Sequence, residues 1–188
     1  MPELDEQSWA DAIGMYARYS VAKVTSRKHD DWVLDVNPLM HGDSTDIRGW
    51  RTKDSLLGEL ARLDDPYYPF ALRPDGPSAT DSWKSNLNEI PRTSAKRFLV
   101  ALSTQWLNIG KTPDFEERRA GLEDKADVIL SRFPEGSHFY ANTGPDSRNL
   151  DYYEHIPGCN TLSVHVWDLG LFLVSEAEVG MVWSFHAW

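Results

Sequence analysis

Apolar positions recur at helical spacing in four stretches of the chain. Trp9, Ala12, Ile13, Tyr16 and Ala17 predict a helix over residues 8–22, with Ser8 as N-cap and Asp11 reaching back to it. Leu56, Leu57, Leu60 and Leu63 predict a second over 52–63. Phe98, Leu99, Leu102, Trp106 and Leu107 share one face of a third, which starts at Thr93 or Ser94, runs to Asn108 and stops before Gly110. Phe115, Leu122, Ala126, Ile129 and Phe133 mark a fourth. There Thr112 is expected at the N-cap, Pro113 at the first helical position, and Asp114, Glu116 and Glu117 at the positive end of the dipole. Pro134-Glu135-Gly136 ends that helix, and a shorter helix fits residues 81–90.

Alternation predicts strands elsewhere. Trp32, Leu34 and Val36 fall on one side of 31–36, before Asn37-Pro38, and Ser137–Ala141 reads as another strand. Residues 161–188 hold three short apolar runs. Asp168-Leu169-Gly170 fits a three-residue hairpin loop with Gly170 left-handed, and Ser175–Glu178 a second turn that pairs Val174 with Val179 and Phe172 with Met181. One face of this meander carries Leu162, Val164, Val166, Phe172, Val174, Val179, Met181, Trp183 and Phe185, and is expected to meet the helices. The other carries Ser163, His165, Trp167, Leu171, Leu173, Val182, Ser184 and His186. It is too polar for a dry core and too apolar for free solvent, so a loop, a ligand or another chain should cover it.

Two long loops separate these elements. Residues 64–78 contain Pro66, Pro69, Pro74, Gly76 and Pro77, yet their Tyr67, Tyr68 and Phe70 should pack back on the body. Residues 142–160 form the longer loop, a length more often functional than merely connecting. The expected architecture is α+β: several helices packed on one face of a mainly antiparallel sheet ending in a C-terminal three-stranded meander. One domain over 1–188 is expected, helix-rich to residue 133 and strand-rich beyond it.

Charge sharpens this picture. The net charge is −10, and residues 133–188 contribute seven carboxylates against Arg148 alone. Nucleic-acid binding needs Lys and Arg and is not expected there. An acidic face suits a basic protein partner. Asp146, Asp151, Tyr152, Tyr153, Glu154, Trp167, Glu176 and Glu178 are the candidate partner-binding residues. The acidic N-terminus lacks the order of a secretory signal, and Asp168, Glu176 and Glu178 interrupt the longest apolar run, so a cytoplasmic protein without a membrane span is expected.

Chemistry is less well marked. Nucleotide-binding, nucleophile-elbow and zinc-protease motifs are absent, and Cys159 is a lone cysteine, read as an apolar filler. No cofactor or metal is implied. His138, His155, His165 and His186 are candidates for an alternative, catalytic or ligand-binding reading, in which His165 or His186 acts as a general base near Ser163 or Ser184. His138 with Asp151, Glu154 and His155 would be the corresponding metal set. The expected function is that of an acidic binding or inhibitor protein that masks a basic partner, in concrete form an immunity protein or antitoxin. A small enzyme and a structural or assembly subunit (Trp183 and Trp188 at a self-association interface) are the alternatives.

Overall fold

Strands β1 (Ser20–Ser26), β2 (Lys53–Ser55), β3 (Asn88–Ile90), β4 (His138–Ala141), β5 (Trp167–Val174) and β6 (Glu178–His186) form one antiparallel sheet. Their order is β2-β1-β6-β5-β4-β3 in a computed structural model that describes residues 2–16, 19–55, 59–104, 107–144 and 151–186. The helices are α1 (Glu6–Ile13), α2 (Val36–Met40), α3 (Thr80–Lys84), α4 (Arg92–Leu102) and α5 (Phe115–Ser131). The fold is α+β, and β4-β5-β6 is its C-terminal meander.

Each face of the sheet is buried by a different part of the chain. Ala22, Val24, Phe139, Ala141, Leu169, Leu171, Leu173 and Val182 meet the longer helices α1, α4 and α5. Trp9 and Ile13 of α1, Phe98 and Leu99 of α4, and Ala126 and Ile129 of α5 close that core. On the opposite face Val21, Phe172, Val174, Val179, Met181, Trp183 and Phe185 are covered by Trp32, Leu39, Met40, Phe70, Trp83 and Leu162 from short helical turns and loops. The face expected to be mixed is therefore the one under the long helices: Leu171, Leu173, Val182 and Ser184 are all buried. Ser184 donates to Leu102 O at 2.9 Å, which satisfies its hydroxyl in a dry place.

Several local expectations change. The first helix starts earlier and is shorter: Asp5 accepts from Ser8 N (2.7 Å) while Ser8 Oγ accepts from Asp5 N (2.9 Å), a capping box one turn ahead of Ser8. Residues 20–22, expected to end that helix, instead open β1, which pairs with β6 from Ser20↔Ser184 to Ser26↔Glu178. The stretch 31–36 is a 3-10 turn running into α2, because Asp31 caps Val33 N and buried Asp35 collects Lys28 N, His29 N and the His29 ring. Side-chain acceptors here outcompete the alternating pattern. Residues 53–55 are β2 and 59–63 a 3-10 turn rather than parts of one helix; Leu56 and Leu57 lie outside the described residues. The stretch 81–90 divides between α3 and β3. The third helix ends at Leu102, short of Asn108, and Trp106 is outside the described residues. Asp114, not Thr112, precedes α5.

The second expected turn is present with its register: Val174 pairs with Val179 and Phe172 with Met181. The first is not a turn. Asp168, Leu169 and Gly170 run straight through β5, so Trp167 pairs with His186 rather than Leu171, and the meander begins at β4 instead of residue 161. Val164 and Val166, expected inside, are 60% and 86% exposed.

Candidate interaction surface

The expected partner-binding residues are dispersed by the fold, and much of their charge is neutralised. Asp151 pairs with Arg97, whose guanidinium holds the carboxyl below its usual pKa. Tyr153 follows, with the Arg97 and Arg119 guanidinium carbons 5.1 and 5.0 Å from its ring centroid. Its hydroxyl donates to Glu123 at 2.9 Å; burial and that carboxylate raise its pKa. Tyr152 turns inward against Phe98, and burial pushes its phenol up to about 12. Tyr152 is thus a core residue rather than a contact for a partner. Glu154 and Glu176 are exposed, and Trp167 is half-buried edge-on to His186. Asp146 lies outside the described residues, as does Trp188.

Glu178 is the clearest correction. It is buried under Arg132 and Arg48, with Nη2 of Arg132 at 2.9 Å and Nε of Arg48 at 3.0 Å. Arg132, itself fully buried, reaches Asp46 at 2.8 Å and lies 4.6 Å from the Trp9 ring centroid and 5.2 Å from that of Trp50. This cluster ties α5, the 46–50 loop and the start of β6 together. No motif marks it, because its members come from three distant segments. A second cluster joins Lys23, 3% exposed, to Asp54 at 2.7 Å; Arg62 shares the same carboxylate.

The four histidines are not gathered. His138 pairs with Glu89 at the exposed edge of the sheet, and His155 is exposed on its loop. His186 lies against Trp167; His165 lies 5.5 Å from the Phe185 ring and 6.4 Å from that of Tyr68. Burial lowers the pKa of both. Ser163, expected beside a general base, donates its hydroxyl hydrogen bond to Asp168 at 2.5 Å instead of to an imidazole. Asp168 is buried and accepts five hydrogen bonds, from Leu162 N, Ser163 N and Oγ, Trp183 Nε1 and Asn142 Nδ2. Burial nevertheless raises its carboxyl pKa, and the same cause raises the Cys159 thiol. Asp168 is a bracket that holds segment 162–163 against β5 and β6. Among the described residues no group of three or more His, Cys, Asp and Glu could hold a metal ion. Among them, too, no helix is long and apolar enough to cross a membrane.

The unexplained surface lies elsewhere. Six large apolar side chains of the described residues are exposed, and five of them (Leu60, Leu63, Leu72, Val164 and Val166) fall on segments 59–72 and 162–166. These segments are joined: Val164 N donates to Pro69 O, Ala71 N and Leu72 N to Leu162 O, and Phe70 bridges Ser163. Asp43, Asp64 and Asp65 are exposed around them. Leu60 and Leu63 were expected to face a core. They stand on a 3-10 turn whose Arg62, not its leucines, points inward to Asp54 and Tyr68 O. The chain matches no known family, no characterised protein and no solved structure.

Proposed function

We propose that this chain is an acidic binding protein that masks a basic protein partner, in its most concrete form an immunity protein or antitoxin that covers a toxin. The observation that carries this reading is where the cations go. Lys23 and Arg62 are spent together on one carboxylate, Asp54. Arg27 donates to the carbonyls of Ser175 and Asp30, and Arg92 to those of Leu130 and Pro134. These cations are engaged within the fold, while carboxylates such as Asp64, Asp75, Asp81, Glu117, Asp124 and Glu176 stay exposed. Among the described residues, exposed carboxylates outnumber exposed cations. Such a surface raises the encounter rate with a cationic partner and repels anionic ones.

The test is capture of the partner from the native host with the tagged protein, followed by association kinetics with the purified partner at rising salt. The expected result is a basic protein whose association rate falls roughly tenfold between about 50 and about 300 mM salt. The variant Asp75→Lys/Asp124→Lys/Glu176→Lys, which spares the first turn of α5, should slow association further without changing the melting temperature. An identified partner whose association ignores both salt and these reversals would refute the electrostatic reading.

A further inference from the structure

The apolar surface on the joined segments 59–72 and 162–166 deepens that reading and rests on it. Exposed aliphatic side chains scattered singly need no explanation, but a concentration of them on one frame does. Leu60 and Leu63 are 79% and 81% exposed and Val166 is 86% exposed, while the frame beneath them is fixed. Phe70, at its centre, is buried edge-on against Trp183 and Phe185. The backbone bonds from Val164, Ala71 and Leu72 hold the two segments in register, and Gly42 N donates to Pro66 O to attach the neighbouring loop. A partner binding here would therefore lose little of its contact energy to ordering the chain.

The charges around the patch select the occupant. Asp43, Asp64 and Asp65 are exposed at its border. Of the nearby cations, Arg62 is paired with Asp54, and Arg73 lies over the Tyr67 ring, 4.1 Å from its centroid. A second copy of the chain would bring the same carboxylates to its own border, and an anionic lipid surface would be repelled by them. We propose that this patch is the docking surface, and that its occupant is a protein surface combining aliphatic side chains with Lys or Arg around them.

The experiment maps binding on the full-length protein by amide NMR shifts. The probes are a synthetic Leu/Lys amphipathic peptide, polylysine, and the matching Leu/Gln peptide. The Leu/Lys peptide should shift amides at 60–68 and 163–167 and bind roughly tenfold more tightly than either control. Leu63→Ser/Val166→Ser and Asp64→Lys should each weaken it about tenfold, with melting temperatures unchanged because all three side chains are exposed. Binding of both cationic probes at another face, indifferent to these variants, overturns the patch and leaves the acidic-binder reading standing. Absence of binding by either cationic probe at low salt overturns both. Concentration-dependent self-association mapped to 60–68 and 163–167 also overturns the proposal, by giving the patch to a second copy.

Discussion

Replacing Gly170 by alanine tests the centre of the fold. Gly170 lies opposite Trp183 in the β5–β6 ladder, and an added Cβ would sit 1.9 Å from Trp183 Cε3 and 2.0 Å from Cδ2. These atoms belong to the rigid ring system, so no flexible end can swing aside. Ordinary contact needs 3.4 Å or more, so the indole must move by well over an ångström or the strands must part. Trp183 is fully buried, packs against Phe70 and Phe172, and donates from Nε1 to Asp168 at 3.0 Å. Overpacking costs about 1–3 kcal/mol, and pulling the indole from buried Asp168 adds about 1–3 kcal/mol. A loss of roughly 3–5 kcal/mol follows, a large share of the ~5–15 kcal/mol typical of a folded protein. In urea unfolding with a slope near ~2 kcal/mol/M, the midpoint should fall by about 2 M. Gly180→Ala should cost less, because its Cβ meets the far end of the Phe133 ring, Cζ at 2.6 Å. A double-mutant cycle with Trp183→Leu should show coupling of at least about 1 kcal/mol. A midpoint shift below about 0.5 M for Gly170→Ala, at unchanged slope, would refute the close approach.

Arg132→Met should cost about 3–5 kcal/mol, since it leaves Asp46 buried without its cation and Glu178 with Arg48 alone, whereas Arg48→Ala, whose side chain is 38% exposed, should cost under about 1 kcal/mol by the same urea assay; equal losses would contradict the arrangement. Cys159 should react with a thiol reagent more slowly than free cysteine at neutral pH, speeding up as pH rises and on unfolding, because burial raises its pKa; reaction at the free-thiol rate in the folded protein counts against that burial. His165 should titrate below its usual value of 6.5 in NMR. Its pKa is depressed by folding, so its contribution to stability is complete above the unfolded value and is lost as pH falls through the folded one. His165→Gln should remove that part of the acid sensitivity, and an unaltered stability profile between pH 5 and pH 7 would count against it.

The long-range architecture was legible where one period dominated. The stripes of α4 and α5 and the β5–β6 register could be read because one set of apolar positions meets one core. β1 could not, since Val21 and Ala22 are buried on opposite faces and leave no alternation to see. Gly170 was misread for a related reason: a glycine kept for space looks in sequence like one kept for a turn. Of the expected site, Glu154 and Glu176 are on the surface, but Tyr152 and Glu178 are interior. Sequence gives the sign of a charge without its partner, and Arg132 lies 46 positions from Glu178. The outward leucines of the 59–63 turn were hidden by a helical spacing that the backbone does not follow.

The neighbour relation between β1 and β6 also sets an order of events during synthesis. Their paired residues are separated by more than 150 positions, and among the described residues no other strand pairs with β1 along Lys23–Ser26. At about 5–20 residues per second the ribosome makes β1 roughly 8–30 s before β6 exists. Through that interval the apolar side chains of β1 have no completed sheet to join. Along Lys23–Ser26 the strand pairing of β1 waits for β6, although the oldest strand of the nascent chain is already made. Non-local pairing of this kind is the sort that slows folding, because loop closure precedes any gain from contact.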